Sequence, residues 1–345
     1  MKTVLITGGS GFFGGLLKEK LLDTGICCVN IDLKKDPFAH PNLCSVQGDI
    51  RNRDLLDSIF FKYKFDAVFH CAALLAHEVK DEKRLWSSNV EGTRNVADYA
   101  KKYKVPKLVY TSSNCLWGKN FDRLVTEEEP PSPIEIYGRS KLEGERILLE
   151  YAPDLDVTII RCPTIMDAGR LGLLAILFEF IDEGRKVWIV GDGSNRYQFI
   201  YAQDLIDACM KAVAHKGSGV YNIGSDDVVT FRKMYEYVIS RANTKAHVAF
   251  FPKGPALLAM KLAHKLKMSP MGPYQYKMIA STFVFDTQKI KKELGWKPTL
   301  KNEEMLYKAY EYYHKNLEEI KNRGDVSAHR QPAKMGIIRL LKWLS

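Results

Sequence analysis

Short apolar runs alternate along the chain with longer amphipathic stretches. "KTVLIT" at 2–7 is β-branched and apolar on both faces, the composition of a buried strand. After a glycine-rich turn comes "LLKEKLLDTG", whose Leu16, Leu17, Leu21 and Leu22 share one helical face. "CCVNIDL", "VQGDI", "DAVFHCAA" at 66–73, "KLVYTSS" at 107–113 and "VTIIRCP" at 157–163 read as further strands or strand ends. Helical patterns over 52–63, 89–103 and 139–151 separate them. This alternation predicts an α/β fold, a Rossmann-type doubly wound parallel sheet with helices on both faces. Residues 1–165 form the nucleotide-binding domain, to which 191–225 return. Residues 166–190 and 226–320 form a smaller, mostly helical C-terminal substrate lobe, and 321–345 a linker and terminal helix.

The 345 residues, 46% of them hydrophobic, are enough for a full core and a second lobe. The seven cysteines lie mostly in apolar runs without metal-ligand spacing, as reduced thiols do in a cytoplasmic protein, and no metal site is expected. "MKTVLITGGSG" runs directly into a strand, unlike a signal peptide. "LGLLAILFEFI" at 171–181 is too short to span a bilayer. A formal charge of +10 suits an anionic substrate or surface, but no nucleic-acid-binding motif accompanies it, so no nucleic-acid partner is expected.

Gly8, Gly11 and Gly14 stand between the first strand and the first helix with the spacing G-x-x-G-x-x-G. A dinucleotide site needs a backbone that turns tightly there, admits a diphosphate where a Cβ would intrude, and aims helix N–H groups at it. Asp32, ending the next strand, can accept hydrogen bonds from both ribose hydroxyls and repels a 2′-phosphate, which favours NAD over NADP. Lys34 and Lys35 close by soften that preference. Asp49 ends the following strand.

"YGRSK" at 137–141 places Tyr137 and Lys141 on one helical face. A phenol, with a pKa near ~10, becomes a base only when positive charge stabilises its anion. An ammonium and an oxidised nicotinamide supply that charge. Tyr137 can then take a hydroxyl proton while hydride leaves the same carbon. Ser113, at a strand terminus, is placed to hold that hydroxyl.

The sequence resembles the extended short-chain dehydrogenase/reductases, which include sugar epimerases and 3β-hydroxysteroid dehydrogenases. The matching segments are "TGGSGFFG", Asp32, "GDI", "FHCAA", "NVEGTRNV", "TSSNCLWG", "YGRSK", "GDGSNRYQFIYAQDL", "YNIGS" and "FDTQKIKKELGWKP", in family order to about residue 300. The resemblance implies NAD as cofactor, Ser113, Tyr137 and Lys141 as catalytic trio, and commonly a homodimer. Ser113 rather than Ser112 is chosen because the family's Ser or Thr precedes the glycine, here Gly118, by five positions. The resemblance also implies a cofactor lining of Gly8, Gly11, Phe12, Phe13, Gly14, Asp32, Asp49, Ile50, Cys71, Ala72, Ala73, Asn89 and Pro163, with Tyr137 and Lys141.

Sugar dehydratases of the family carry Asp-Glu where this chain has Asn114 and Cys115, so dehydration is disfavoured. Cys115 aligns with an acid/base cysteine of GDP-fucose synthases, but their histidine has no counterpart in "IMDAGR", and the alternative is a packed thiol. Simple hydride chemistry remains. The resemblance points to an epimerase or oxidoreductase at a ring hydroxyl, C4 by expectation, of a hexose on a nucleotide or polyprenyl diphosphate. Ser113, Asn114, Thr164 and Arg196 are the candidate substrate contacts. Thr164 replaces a frequent Asn, and Tyr197-Gln198 replace Arg-Asp, both departures from ordinary UDP-sugar enzymes. A 3β-hydroxysteroid-type dehydrogenase is the alternative, and a cofactor-binding scaffold without turnover a third reading.

The region from 250–268 to 276–286 is apolar and basic. It resembles the corresponding part of steroid-type members and of polyprenyl-diphosphate-N-acetylhexosamine 4-epimerases, which implies a hydrophobic substrate, the alternative being a helical lid packed on its own domain. "KNRGDVSAHRQPAK" at 321–334 reads as a linker. In "MGIIRLLKWLS", Ile337, Ile338, Leu341 and Leu344 share a face bordered by Arg339 and Lys342. Such a helix fits a membrane interface, or docks on its own core or a second subunit. The expected location is cytoplasmic, peripheral at the inner membrane face if the tail engages it.

Overall fold

The computed structural model describes residues 1–76, 81–269, 271–322, 329–333, 335–336 and 342. The strands are β1 (Thr3–Thr7), β2 (Cys27–Asp32), β3 (Leu43–Gln47), β4 (Ala67–His70), β5 (Lys107–Ser113) and β6 (Asp156–Cys162). The later ones are β7 (Thr164–Met166), β8 (Lys186–Val190), β9 (Phe199–Tyr201), β10 (Gly219–Asn222) and β11 (His247–Phe251). Helices α1 (Phe12–Asp23), α2 (Arg53–Lys62), α3 (Glu82–Trp86), α4 (Gly92–Lys102) and α5 (Ile136–Tyr151) flank the first half. The second half adds α6 (Leu174–Asp182), α7 (Ala202–Ala214), α8 (Phe231–Ala242), α9 (Lys253–Lys265) and α10 (Pro273–Met278). Helices α11 (Gln288–Leu294), α12 (Asn302–Lys315) and α13 (Leu317–Asn322) follow.

Seven strands form one sheet in the order β10-β6-β5-β4-β1-β2-β3, every pair parallel. Because β2 and β4 flank β1, the chain reverses direction across the sheet there. That reversal opens a crevice at the carboxyl ends of β1 and β4, where α/β sheets take ligands. Both faces of the strands are buried, which explains why they read as continuous apolar runs rather than alternating ones. Leu17, Leu21 and Leu22 seat α1 on one face of the sheet. Leu56, Ile59, Phe60, Val96 and Ala100 seat α2 and α4 on the other.

Two departures from the sequence reading concern helices. The pattern at 89–103 is divided: α3 leads into a π turn over Ser87–Glu91 before α4 begins. The helix expected from 139 starts at Ile136, which brings Tyr137 into its first turn.

The second core holds the pairs β7·β9 and β8·β11 with α6, α8 and α12, packed through Phe178, Tyr310 and Tyr313 and through Trp117, Phe283 and Phe285. Helix α9 departs from the lid reading, because of its thirteen residues only Ala263 is buried.

The stretch read as a linker is docked in part. Leu171 N–H donates to the His329 carbonyl (2.8 Å), Gly172 N–H to Gln331 (2.9 Å), and Ala333 N–H to Gly172 (3.0 Å). The expected terminal helix lies mostly outside the described residues. Within it, Lys342 pairs with Glu179 and Glu183 of the α6 region, at 2.6 Å for Glu183.

Candidate active site

The glycine turn is shaped by close backbone approach. Gly8 follows β1 with φ +78°, and a Cβ there would meet the Ala72 backbone at 2.8 Å. A Cβ on Gly14 would stand 2.2 Å from the Gly8 carbonyl oxygen, so α1 rises directly against the turn. Gly11 is the N-cap of α1, with no side-chain cap and no acid in the first turn. The N–H groups at Phe12 and Phe13 are therefore left for an anion, while both rings are buried. Asn30 accepts from Gly9 N–H (2.9 Å) and steadies the turn.

Asp32 faces this turn. Its two oxygens accept from Ser10 N–H and Lys34 N–H, each at 2.9 Å, and burial raises its carboxyl above the ordinary range. A backbone cradle with a carboxylate at the end of β2 fits an adenosine ribose and a diphosphate. The Cys71–Ala73 wall opposite is braced from behind. Ala72 N–H donates to Thr7 Oγ1 (3.2 Å), and Asn89 Oδ1 accepts from Leu74 N–H (2.7 Å). The Asn89 amide also donates to the Leu74 carbonyl and to Ser140 Oγ, both at 3.0 Å, so this side chain is engaged in holding the wall. Asp49 is likewise engaged, in an ion pair with Arg51 (2.6 Å). Ile50 is buried against Gly92, and Pro163 follows β6 in the interior.

Ser113, Tyr137 and Lys141 converge at the end of β5. Ser113 Oγ accepts from Cys115 N–H (3.1 Å) and stands beside the Tyr137 phenol. Lys141, one turn along α5, donates to the Thr111 carbonyl (2.7 Å) and lies 4.2 Å from the centre of the Tyr110 ring. Burial pulls its ammonium down to about 8. Burial pushes the Tyr137 phenol well above its ordinary value, and the nearby Cys115 and Cys162 thiols add to the rise. In the protein alone this phenol keeps its proton, and ionisation requires added positive charge. The buried ion pair of Arg161 with Glu145 (2.8 Å) ties α5 to β6.

The opposite wall collects residues from distant points in the chain. Asn114 donates to the Tyr197 hydroxyl (2.7 Å), which lies 3.1 Å from that of Tyr274 and has Thr164 close by. The Tyr274 N–H donates to Glu135 (2.7 Å), the residue before α5. Cys115 lies in this group, its thiol pushed up to about 11 by burial, so it is a neutral packed thiol. Arg196 is exposed and its backbone pairs with Thr282 and Phe283, so the neighbouring Tyr197 is the residue of this loop that reaches the cluster. Gln198 instead bonds Ser225 (2.8 Å) and Phe285 (2.9 Å), a neutral buried stitch.

Arg170 is the residue the sequence reading missed. Its guanidinium stands 5.6 Å from the centre of the Phe12 ring and interacts electrostatically with Tyr137 and Tyr197. Its Nε is buried and has no hydrogen-bond partner among the described residues, and burial pulls the group down to about 10. A cation between the glycine turn and two phenols suits an oxyanion. Its one sequence signal was a basic residue in "IMDAGR", a segment searched for histidine.

Residues 4–224 match the family described as NAD dependent epimerase/dehydratase. The chain belongs to that family. It is an NAD-dependent enzyme of the extended short-chain dehydrogenase/reductase type. The protein y4nG of Sinorhizobium fredii is 38% identical over 99% of this chain and 86% of its own length. The N-acetyl-alpha-D-glucosaminyl-diphospho-ditrans,octacis-undecaprenol 4-epimerase of Escherichia coli O157:H7 is 28% identical over 83% of this chain and 88% of its own. The structure of Thermotoga maritima UDP-glucose 4-epimerase with UDP-glucose superposes with a TM-score of 0.76 at 25% identity, covering 91% of this chain and 99% of that one. The family's relatives thus include epimerases of nucleotide-linked and polyprenol-linked sugars. Among the described residues no helix is long and apolar enough to cross a membrane.

Proposed function

We propose that the protein is a sugar 4-epimerase acting on a hexose carried by a nucleotide or polyprenyl diphosphate. The observation carrying this reading is the convergence of Ser113, Tyr137 and Lys141 beside a glycine turn whose helix start is left uncapped. In this reading Ser113 holds the reacting hydroxyl and Tyr137 Oη removes its proton. Lys141, anchored on the Thr111 carbonyl, supplies a fixed positive charge behind the phenol. Bound NAD supplies the hydride acceptor and, once the keto sugar has presented its other face, the donor. Tyr137 then returns the proton. The uncharged wall of Asn114, Thr164, Tyr197 and Tyr274 contacts the ring hydroxyls, and Arg170 faces an oxyanion of the bound ligands. Asp32 selects NAD over NADP. A homodimer at the cytoplasmic face of a membrane completes the reading where the sugar is lipid-borne.

The test uses UDP-glucose, UDP-N-acetylglucosamine and undecaprenyl-diphospho-N-acetylglucosamine, each deuterated at C4. The reading expects one of them to give its 4-epimer with the label retained and no accumulation of NADH. Stoichiometric NADH with a sterol-like alcohol, and none of these epimers, would replace it by a hydroxysteroid-type dehydrogenase.

A further inference from the structure

Helix α9 and the residues that follow it are built inside out. A helix of a water-soluble protein turns its leucines inward. Here Leu258, Leu262 and Leu266 are 69%, 57% and 60% exposed, and Met268 is 47% exposed. The leucines recur every fourth residue, so they form one continuous stripe. Lys261 and Lys265 run beside that stripe, with Lys253 before it and Lys267 after it, and all four lysines are exposed. Scattered exposed leucines are ordinary, but a contiguous row of this kind marks a contact surface.

Charge selects the occupant. Between Glu236 and Asp286 the sequence contains no acidic residue and seven lysines and arginines. A second copy of the chain, meeting this face about a two-fold axis, would bring lysines against lysines. A surface of anionic lipid headgroups over an apolar interior matches both features. Leucines enter the acyl boundary while lysine stems lie along it and their ammonium groups reach the phosphates.

The position has a consequence for the site. Helix α9 packs on α10, with His264 and Tyr276 in ring contact. Within α10, Tyr274 bonds Tyr197 and, through its N–H, Glu135 at the start of the tyrosine-bearing helix. A surface held by α9 therefore adjoins the substrate wall of the cleft. We infer that the exposed leucine–lysine face of α9 docks the enzyme on an anionic membrane surface with the substrate wall adjoining the lipid. This inference concerns where the enzyme works and does not depend on which sugar it converts.

Flotation of the full chain with vesicles of phosphatidylcholine, with and without phosphatidylglycerol, tests it. The protein should bind the anionic vesicles at least about tenfold more tightly, and added salt should weaken binding. Leu258→Ser with Leu262→Ser and Leu266→Ser should lose at least about tenfold in vesicle binding with unchanged NAD content and melting temperature, since these side chains are exposed in the folded protein. Lys261→Glu with Lys265→Glu, a second route that spares the leucines, should lose roughly fivefold for each lysine removed. Vesicle binding that survives both variants but disappears on deleting 337–345 would overturn the inference. So would a triple-serine variant that splits a dimer in sedimentation while binding vesicles normally.

Discussion

The two walls of the cleft are assembled by different means. On the cofactor side, the groups that count are largely backbone: N–H donors at the start of α1, a glycine turn too tight for a Cβ, and one carboxylate at the end of β2. On the proposed substrate side they are side chains alone, with Asn114, Thr164, Arg170, Tyr197 and Tyr274 arriving from separate elements. Backbone recognition demands glycine at set spacings and therefore leaves a local pattern. Side-chain recognition demands only that distant positions meet, and leaves none. Evolution of a new substrate can thus proceed on the second wall without touching the first.

Substitutions on each wall should separate accordingly. On the cofactor wall, Gly14→Ala forces a methyl group onto the Gly8 carbonyl. It should cost about 3 kcal/mol and strip the protein of NAD, read from melting temperature and bound-nucleotide content. A variant that keeps both would mean the turn can open. On the substrate wall, Arg170→Met keeps the bulk and removes the charge. kcat/KM should fall by about ten- to a hundredfold, the size of a lost charged hydrogen bond. The melting temperature should hold or rise, because a buried Nε with no partner among the described residues is relieved. A drop in NAD affinity with unchanged sugar KM would assign Arg170 to the cofactor diphosphate instead.

Smaller effects sharpen the contrast. Tyr197→Phe removes one hydroxyl from the Asn114–Tyr274 chain and should raise the sugar KM about fivefold, roughly 1 kcal/mol, with NAD content unchanged. His70 tests the cofactor wall by pH. It lies between Thr7 (2.6 Å) and Thr93 (2.8 Å), fully buried, and burial lowers it to about 3. The unfolded chain takes up the proton near 6.5 while the folded protein does not. The stability His70 contributes is therefore complete above pH 6.5 and lost as pH falls toward about 3. Urea unfolding across that window should show this loss in the native protein and less of it in His70→Gln.

The legibility of the sequence follows the same division. The parallel sheet, the glycine turn, Asp32 and the Tyr137–Lys141 spacing were all visible, because period and spacing are local properties. Asn89 and Asp49 were assigned to the cofactor lining, and in the fold they are engaged with Leu74, Ser140 and Arg51, partners that the sequence does not announce. Arg196 was named because a guanidinium suits phosphate, yet in this loop its neighbour Tyr197 is the residue turned inward. Arg170 carried no pattern at all. The leucines of α9 have ordinary helical spacing, and no spacing reveals that their face points outward.

The central claim is that Tyr137 moves the proton while the cofactor stays bound. Single-turnover absorbance of the bound nicotinamide, native protein against Tyr137→Phe, tests it most directly once a sugar is in hand. The native protein should show a transient reduced cofactor, and the variant a reduction about a thousandfold slower at equal NAD content. Reduction at the native rate in Tyr137→Phe would contradict it.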